Sequence, residues 1–352
     1  MARRLLPEWT HQDGVLLTWP HPGTDWAGML DEVERVYIDL AGAITQRERL
    51  LVACHNQSHR EHVRGLLATA DICDDRHHLV IAPSNDSWSR DHGPITVHDG
   101  DKLHLLDFRF TGWGGKYAHD LDDRIPRALV KAGCFGATPC TSIDLVLEGG
   151  GIESDGAGTL LTTASCLQAP SRNPHLSLQQ LEARLGELLG VERFLWLHHG
   201  HLEGDDTDGH IDTLARFCDP TTIAYVRCSD RKDTHYDALS GMEAELRTFR
   251  DSAGKPYRLV PLPWPSPKYD EQGQRLPATY ANFLIINAAV LVPTYADAAD
   301  AVALATLAEC FPDREIIGID CSPLIRQHGS LHCVTMQLPS GLLADRPAAN
   351  AI

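Results

Sequence analysis

Apolar residues follow two rhythms along this chain. Short aliphatic and β-branched runs recur throughout: Gly14-Val15-Leu16-Leu17-Thr18, Leu50-Leu51-Val52-Ala53-Cys54 and His78-Leu79-Val80-Ile81-Ala82. The series continues at Thr159–Thr162, Thr222–Val226, Arg258–Pro261, Asn282–Ile286, Ala289–Pro293 and Glu315–Ile319. Their length and flanking turn residues predict buried strands. Between them the period lengthens. Leu30, Val33, Val36, Tyr37 and Leu40 form one stripe within Met29–Ile44, which predicts an amphipathic helix. Leu178–Leu189 and Ala298–Cys310 read the same way, with Pro174 ahead of the first and Pro312 just past the second. The whole is α/β alternation. Strands ending in Pro or Thr return at roughly 60–80 residues, a loose recurrence of αβ units. A doubly wound dinucleotide fold is disfavoured: Gly149-Gly150-Gly151 with Gly156 and Gly158 fails G-x-G-x-x-G and leads into a strand.

Composition narrows the function. The 352 residues carry 31 Lys+Arg against 48 Asp+Glu, a net charge of −17. Phosphates repel such a surface, so nucleic acid and anionic lipid are poor partners and cationic ligands are better ones. The longest apolar run, Phe283–Val292, is interrupted by Asn287 and has about half the length of a membrane span. The start, Met1-Ala2-Arg3-Arg4-Leu5-Leu6-Pro7-Glu8, lacks an apolar signal core, so a cytoplasmic location is expected. Ten cysteines occur without any C-x-x-C pair. They read as reduced thiols, mostly apolar fillers, rather than as a disulfide frame or structural zinc site.

Four segments combine reactive groups with tight-turn glycines. Asn85–Pro94 reads as a loop, in which Asp91 can accept from a cation and Trp88 can wall it. In Leu147–Glu153 a carboxylate, Glu148, precedes three glycines that permit close backbone approach. His198–Asp212 is the densest His and acid cluster; the EF-hand template and H-E-x-x-H both fail there. Read as a strand, it puts His210 and Asp212 on one face, a pairing suited to acid–base work or a transition metal. Gly329–Gln337 reads as a turn then a strand, with Cys333 where the strand emerges. A buried inert thiol is the ordinary alternative for Cys333, and a solvated acidic loop for residues 205–208. No G-x-S-x-G and no Walker loop occurs.

Together the segments are more specific than any alone. W-x-R-D-x-G-P, E-G-G, G-H-x-D and H-C-x-T-x-Q, in that order, resemble the agmatine deiminase family, also known as the porphyromonas-type peptidylarginine deiminase family of the guanidine-modifying (pentein) superfamily. The resemblance runs from Trp19-Pro20 to about Pro339. It implies one catalytic domain over residues 1–352, folded as a five-bladed pseudosymmetric α/β propeller. It also implies roles: Cys333 as nucleophile, His210 as general acid and base, Asp91 and Asp212 as carboxylates gripping a guanidinium, and Glu148 engaging the guanidinium and His210 side.

The residue types suit that chemistry. A planar cation is held by carboxylates through paired N–H bonds, and a thiolate attacks its central carbon. His210 protonates the leaving ammonia and then activates water, giving a ureido product with no metal or other cofactor. An acid shortly before G-H-x-D is expected to meet the far amine of agmatine; Asp206 stands there. Trp88 and Trp113 are expected along the aliphatic stem. The substrate implied is agmatine and the product N-carbamoylputrescine, which leads to putrescine. The alternative is a deiminase of peptidyl-arginine or another guanidine. A homodimer is the default assembly, and residues 113–117 and 205–208 are the expected lid.

Overall fold

The computed structural model describes residues 3–345; Met1 and Ala2 of the arginine-bearing start lie outside them. The fold is mixed α/β, and its strands fall into five separate sheets of three or four. The periodic segments fold as their patterns predict. The helix Leu30–Thr45 buries Val33, Val36, Tyr37, Leu40, Ala41 and Ile44. The helix Leu178–Leu189 opens on a reciprocal Ser177–Gln180 capping box and ends at Gly190 in the left-handed region.

One unit recurs in every sheet: an antiparallel pair followed by a parallel partner reached through a helix. Ile95–Asp99 pairs antiparallel with Lys102–Arg109, which pairs parallel with Cys140–Val146. Ile152–Ser154, Thr159–Thr163 and Arg193–Leu197 repeat this. So do Ala215–Asp219, Thr222–Val226 and Arg258–Leu262, and then Leu284–Ile286, Ala289–Thr294 and Glu315–Asp320. The fifth unit joins distant parts of the chain. Thr335–Pro339 lies antiparallel to Gln12–Thr18, which runs parallel to Arg49–Cys54. Helices such as Leu30–Thr45, Tyr236–Thr248 and Asp300–Cys310 cross over the parallel pairs, as parallel neighbours require.

Two local readings are corrected. Asn85–Pro94 is not all loop: Ser89–His92 forms a buried helical turn. His210 and Asp212 do not sit on a strand. His210 precedes the 3-10 turn Ile211–Thr213, and the strand begins only at Ala215. The run between the glycines and Ala215 is too rich in Asp to join a ladder, and its side chains bond to local backbone instead.

The main core gathers Trp19, Trp26, Tyr37 and the aliphatic faces of several sheets. All ten cysteines are free thiols, seven of them buried. Among the described residues no helix is long and apolar enough to cross a membrane.

Candidate active site

Each sheet brings a candidate site residue from the segment that leads into the first strand of its antiparallel pair. Asp91 precedes Ile95–Asp99, Glu148 precedes Ile152–Ser154, and His210 with Asp212 precedes Ala215–Asp219. Asn282 precedes Leu284–Ile286, and Cys333 precedes Thr335–Pro339. These six residues are all buried.

Cys333 Sγ lies 3.4 Å from Asn282 Oδ1 and 3.8 Å from Asp212 Oδ2. The same Asn282 oxygen accepts the backbone N–H of His332 at 2.8 Å and of Cys333 at 3.3 Å. Burial, then the Asp212 and Asp91 charges, push the Cys333 thiol well above its usual range. Without a cation in the cavity it is therefore held as a thiol.

His210 Nδ1 stands 3.5 Å from Asp91 Oδ1, and Nε2 3.9 Å from Glu148 Oε2. At those separations neither ring nitrogen has a hydrogen-bond partner, although the ring is fully buried. Burial alone would lower its pKa, but Asp91 above all, with Cys166 and Glu148, holds it well above 6.5. Gly150 packs against this ring. A Cβ there would lie 2.5 Å from His210 Nδ1, 2.8 Å from Asp91 Oδ1 and 3.2 Å from Asp212 Oδ2. The glycine of the E-G-G motif thus makes room for three functional groups at one point.

The carboxylates are held from outside. Asp91 Oδ1 accepts the Gly150 N–H at 3.0 Å and Oδ2 accepts the Trp113 indole N–H at 2.9 Å. Burial, then the neighbouring Asp212 and Glu148 against His210, leave Asp91 pushed up to about 6. Burial would raise Glu148 as well, but His210 and Arg172 outweigh it and the pKa falls. Arg172 Nε donates to both Glu148 oxygens at 3.1 and 2.8 Å, and both side chains are wholly buried. Asp212 Oδ2 meets His332 Nδ1 at 2.8 Å, whereas Oδ1 is buried without a partner. That His332 contact outweighs burial and lowers the Asp212 pKa.

A narrow pocket open to solvent leads to Cys333. Trp88, Trp113 and Gly329 wall it, and Asp25, Asp86, Tyr117, Asp206 and His328 stand around its mouth. Trp88 lies directly beneath Gly329, where a Cβ would strike its ring at 2.1 Å. Trp113 adopts φ 55, ψ 46, a left-handed conformation unusual for a bulky residue, and thereby aims its indole at Asp91. Asp206 is at the mouth, accepting the Tyr117 hydroxyl at 2.8 Å. Lys116 meets Asp208 at 2.7 Å, so the two segments expected to form a lid are joined across the mouth.

Sequence reasoning missed Asn282, His332, Glu8 and Arg172. His332 carried a signal, standing beside Cys333 in H-C-x-T-x-Q. Glu8, Arg172 and Asn282 carried none, because they lie outside the four motif segments. The His198–Asp212 tract also divides. His199 turns away to Glu245 at 2.8 Å, and only its last residues enter the site. Glu148, Cys166 and His210 bring O, S and N donors within 4.8 Å of one another, a trio sequence spacing did not reveal. The Arg172 guanidinium already occupies the Glu148 edge and opposes a second cation there.

A family model described as Porphyromonas-type peptidyl-arginine deiminase matches residues 4–339. A Porphyromonas gingivalis structure described as a "Putative Arginine Deiminase" is 53% identical, covering 97% of this chain and 100% of that one, with TM-score 0.91. The C. jejuni agmatine deiminase solved with substrate bound is 36% identical, covers 97% of each chain and has TM-score 0.88. A curated Yersinia pestis relative named "Putative agmatine deiminase" is 32% identical over 354 residues, 95% of this chain and 94% of the relative.

Proposed function

The chain belongs to the Porphyromonas-type peptidyl-arginine deiminase family, and from that premise we propose that it hydrolyses the guanidinium of agmatine to N-carbamoylputrescine and ammonia. The observation that carries this reading is that Asp91 and Cys333 line one cavity with an acidic mouth, with Asp212, His210 and Glu148 packed next to them.

In this reading Asp91 and Asp212 take the N–H edges of the guanidinium and fix its carbon against Sγ. The arriving cation offsets the carboxylate field that holds Cys333 protonated, so the thiol releases its proton to solvent and the thiolate forms when substrate is present. Sγ adds to the carbon, His210 gives a proton to the departing ammonia, and a thiouronium remains on Cys333. His210, now neutral, takes a proton from water, which adds to the same carbon; Sγ leaves and the ureido product forms. Glu148 steadies the His210 charge on the side away from Asp91. Trp88 and Trp113 flank the aliphatic stem, and Asp206 meets the far ammonium. The residues lining the cavity include no Lys or Arg, and Lys116 at its mouth is already engaged by Asp208 and the Asp206 carbonyl, so free arginine would bring its α-carboxylate to Asp25, Asp86 and Asp206 without a cation of its own.

A second reading, turnover of peptidyl-arginine, is favoured by a broad surface groove that shares Asp25, Asp86 and Tyr117 with the cavity. A five-bladed pseudosymmetric propeller accompanies either reading, supported by the fivefold recurrence of the antiparallel–parallel unit.

The test is ammonia and ureido formation from agmatine, arginine and a blocked arginine, for wild type and Cys333→Ala, with and without chelator. Agmatine turnover that survives chelator and vanishes in Cys333→Ala supports the proposal. Turnover of blocked arginine alone moves the protein to the second reading. Activity indifferent to Cys333 overturns both.

A further inference from the structure

Behind the nucleophile stands an ion network that the reaction as described does not use. His332, wholly buried, places both ring nitrogens on carboxylates: Nδ1 on Asp212 Oδ2 at 2.8 Å and Nε2 on Glu8 Oε2 at 2.7 Å. Glu8 is itself fixed, because Oε1 accepts the Ile285 N–H at 2.7 Å. Its other oxygen pairs with Arg216 at 3.0 Å and takes a bond from Arg90 at 3.4 Å. Arg216 also pairs with Glu153 and lies over the Phe283 ring at 4.8 Å. Such a set of buried charges contributes little net stability over an apolar packing of the same volume. Its position is more telling. It ends on Asp212 Oδ2 and leaves Asp212 Oδ1, buried and unpaired, as the free edge.

We propose that His332 and Glu8 are a positioning pair for the guanidinium clamp: through His332 Nδ1 they lock the rotation of the Asp212 carboxylate, whose Oδ2 stands 3.8 Å from Cys333 Sγ. This rests on the reading of Asp212 as a guanidinium ligand. The groups facing the ring are Asp212, Glu8, Arg90 and Arg216. Burial and the two guanidiniums lower the His332 pKa, and the two carboxylates oppose them. The ring proton that matters is the one on Nδ1. Glu8, an acceptor for Nε2–H, fixes the plane of the ring and with it the line of the Nδ1 contact.

Two amide substitutions separate this role from packing. Asn at 332 places its amide nitrogen near Nδ1 and keeps the Asp212 contact. Gln places it near Nε2 and keeps only the Glu8 contact. The readout is the rate at which Cys333 displaces chloride from 2-chloroacetamidine, a cationic guanidinium mimic, relative to neutral 2-chloroacetamide. Mass spectrometry of the Cys333 peptide follows both. Wild type is expected to prefer the amidine strongly. His332→Asn, which keeps the Asp212 contact but loses Glu8, is expected to lower that ratio about threefold, and His332→Gln about tenfold or more. Glu8→Asp keeps the charge but withdraws it by one methylene. It is expected to lower the ratio severalfold, and it stands in should the Gln variant not melt cooperatively. Equal ratios in the Asn and Gln variants, or a Glu8→Asp ratio equal to wild type, overturn the proposal. A wild type without amidine preference instead overturns the reading of Asp212 as a guanidinium ligand, and this inference with it.

Discussion

Gly150→Ala is the sharpest test of the site geometry. The added methyl would stand 2.5 Å from His210 Nδ1 and 2.8 Å from Asp91 Oδ1, where ordinary contact begins near 3.4 Å. Relief requires the imidazole to retreat by about 0.9 Å and the Asp91 carboxylate by about 0.6 Å, or the Gly150 backbone to shift by a comparable amount. Neither side chain is free to move. Asp91 is held by the Gly150 and Trp113 N–H groups, and the His210 ring is wholly buried. A displacement on the order of 1 Å in a catalytic group costs about 100-fold in rate, equivalent to about 2.7 kcal/mol of transition-state stabilisation. Overpacking adds about 1–3 kcal/mol of lost stability. We expect kcat for agmatine to fall about 100-fold while the variant still folds. Gly65→Ala is the control: it lies exposed in the helix Gln57–Thr69, and a Cβ there meets nothing within 4 Å. It should leave kcat unchanged and stabilise by about 0.5–1 kcal/mol. The assay is ureido-product formation with kcat and KM resolved, alongside thermal melts. A folded Gly150→Ala enzyme within threefold of wild-type kcat would refute the assignment of His210 and Asp91.

Other outcomes follow from particular contacts. Arg172→Met strands the Glu148 charge in a wholly buried position, and the loss should be about 3–5 kcal/mol by denaturant titration. Asp206→Asn should raise KM for agmatine about tenfold with little change in kcat, and leave KM for guanidines without a far amine unchanged. Asp122, pushed up to about 8 mainly by burial, holds its proton more tightly folded than unfolded. Its contribution to stability is complete below about pH 4 and is lost as pH rises through 8. Asp122→Asn does not titrate, so its melting temperature should gain on wild type between pH 4 and 8; a constant difference across that range would refute the shift.

The strands and helices most legible in the sequence were those whose burial is one-sided and regular. Leu178–Leu189 has the same bounds in the structure as in its pattern. Lys102–Arg109 was not legible, because charged residues at both ends and His104 within it mask its core positions. His210 and Asp212 meet through a turn rather than the pleat of a strand, since Asp side chains cap local backbone. Of the five residues implied by the resemblance, Asp91 and Cys333 line the cavity, and His210, Asp212 and Glu148 are buried beside them. Asn282 escaped notice because no motif surrounds it. Its logic is positional: it fills in the fourth sheet along the chain the place that Asp91, Glu148, Asp212 and Cys333 fill in the others. Glu8 reaches the site only because the chain's two ends share a sheet.

That shared sheet governs how the molecule fails. The seam between Thr335–Pro339 and Gln12–Thr18 pairs residues from far ends of the described chain, such as Pro339 with Gln12, a much longer closure than in the other four sheets. Closing so long a loop is entropically the hardest step, and the seam is expected to form late in folding and to fray early on heating. Fraying there would carry off Cys333, His332 and the Glu8 contact together while the other sheets stay paired. Loss of turnover on warming should therefore precede loss of secondary structure, so that the temperature at which the enzyme stops working lies below the one at which it melts.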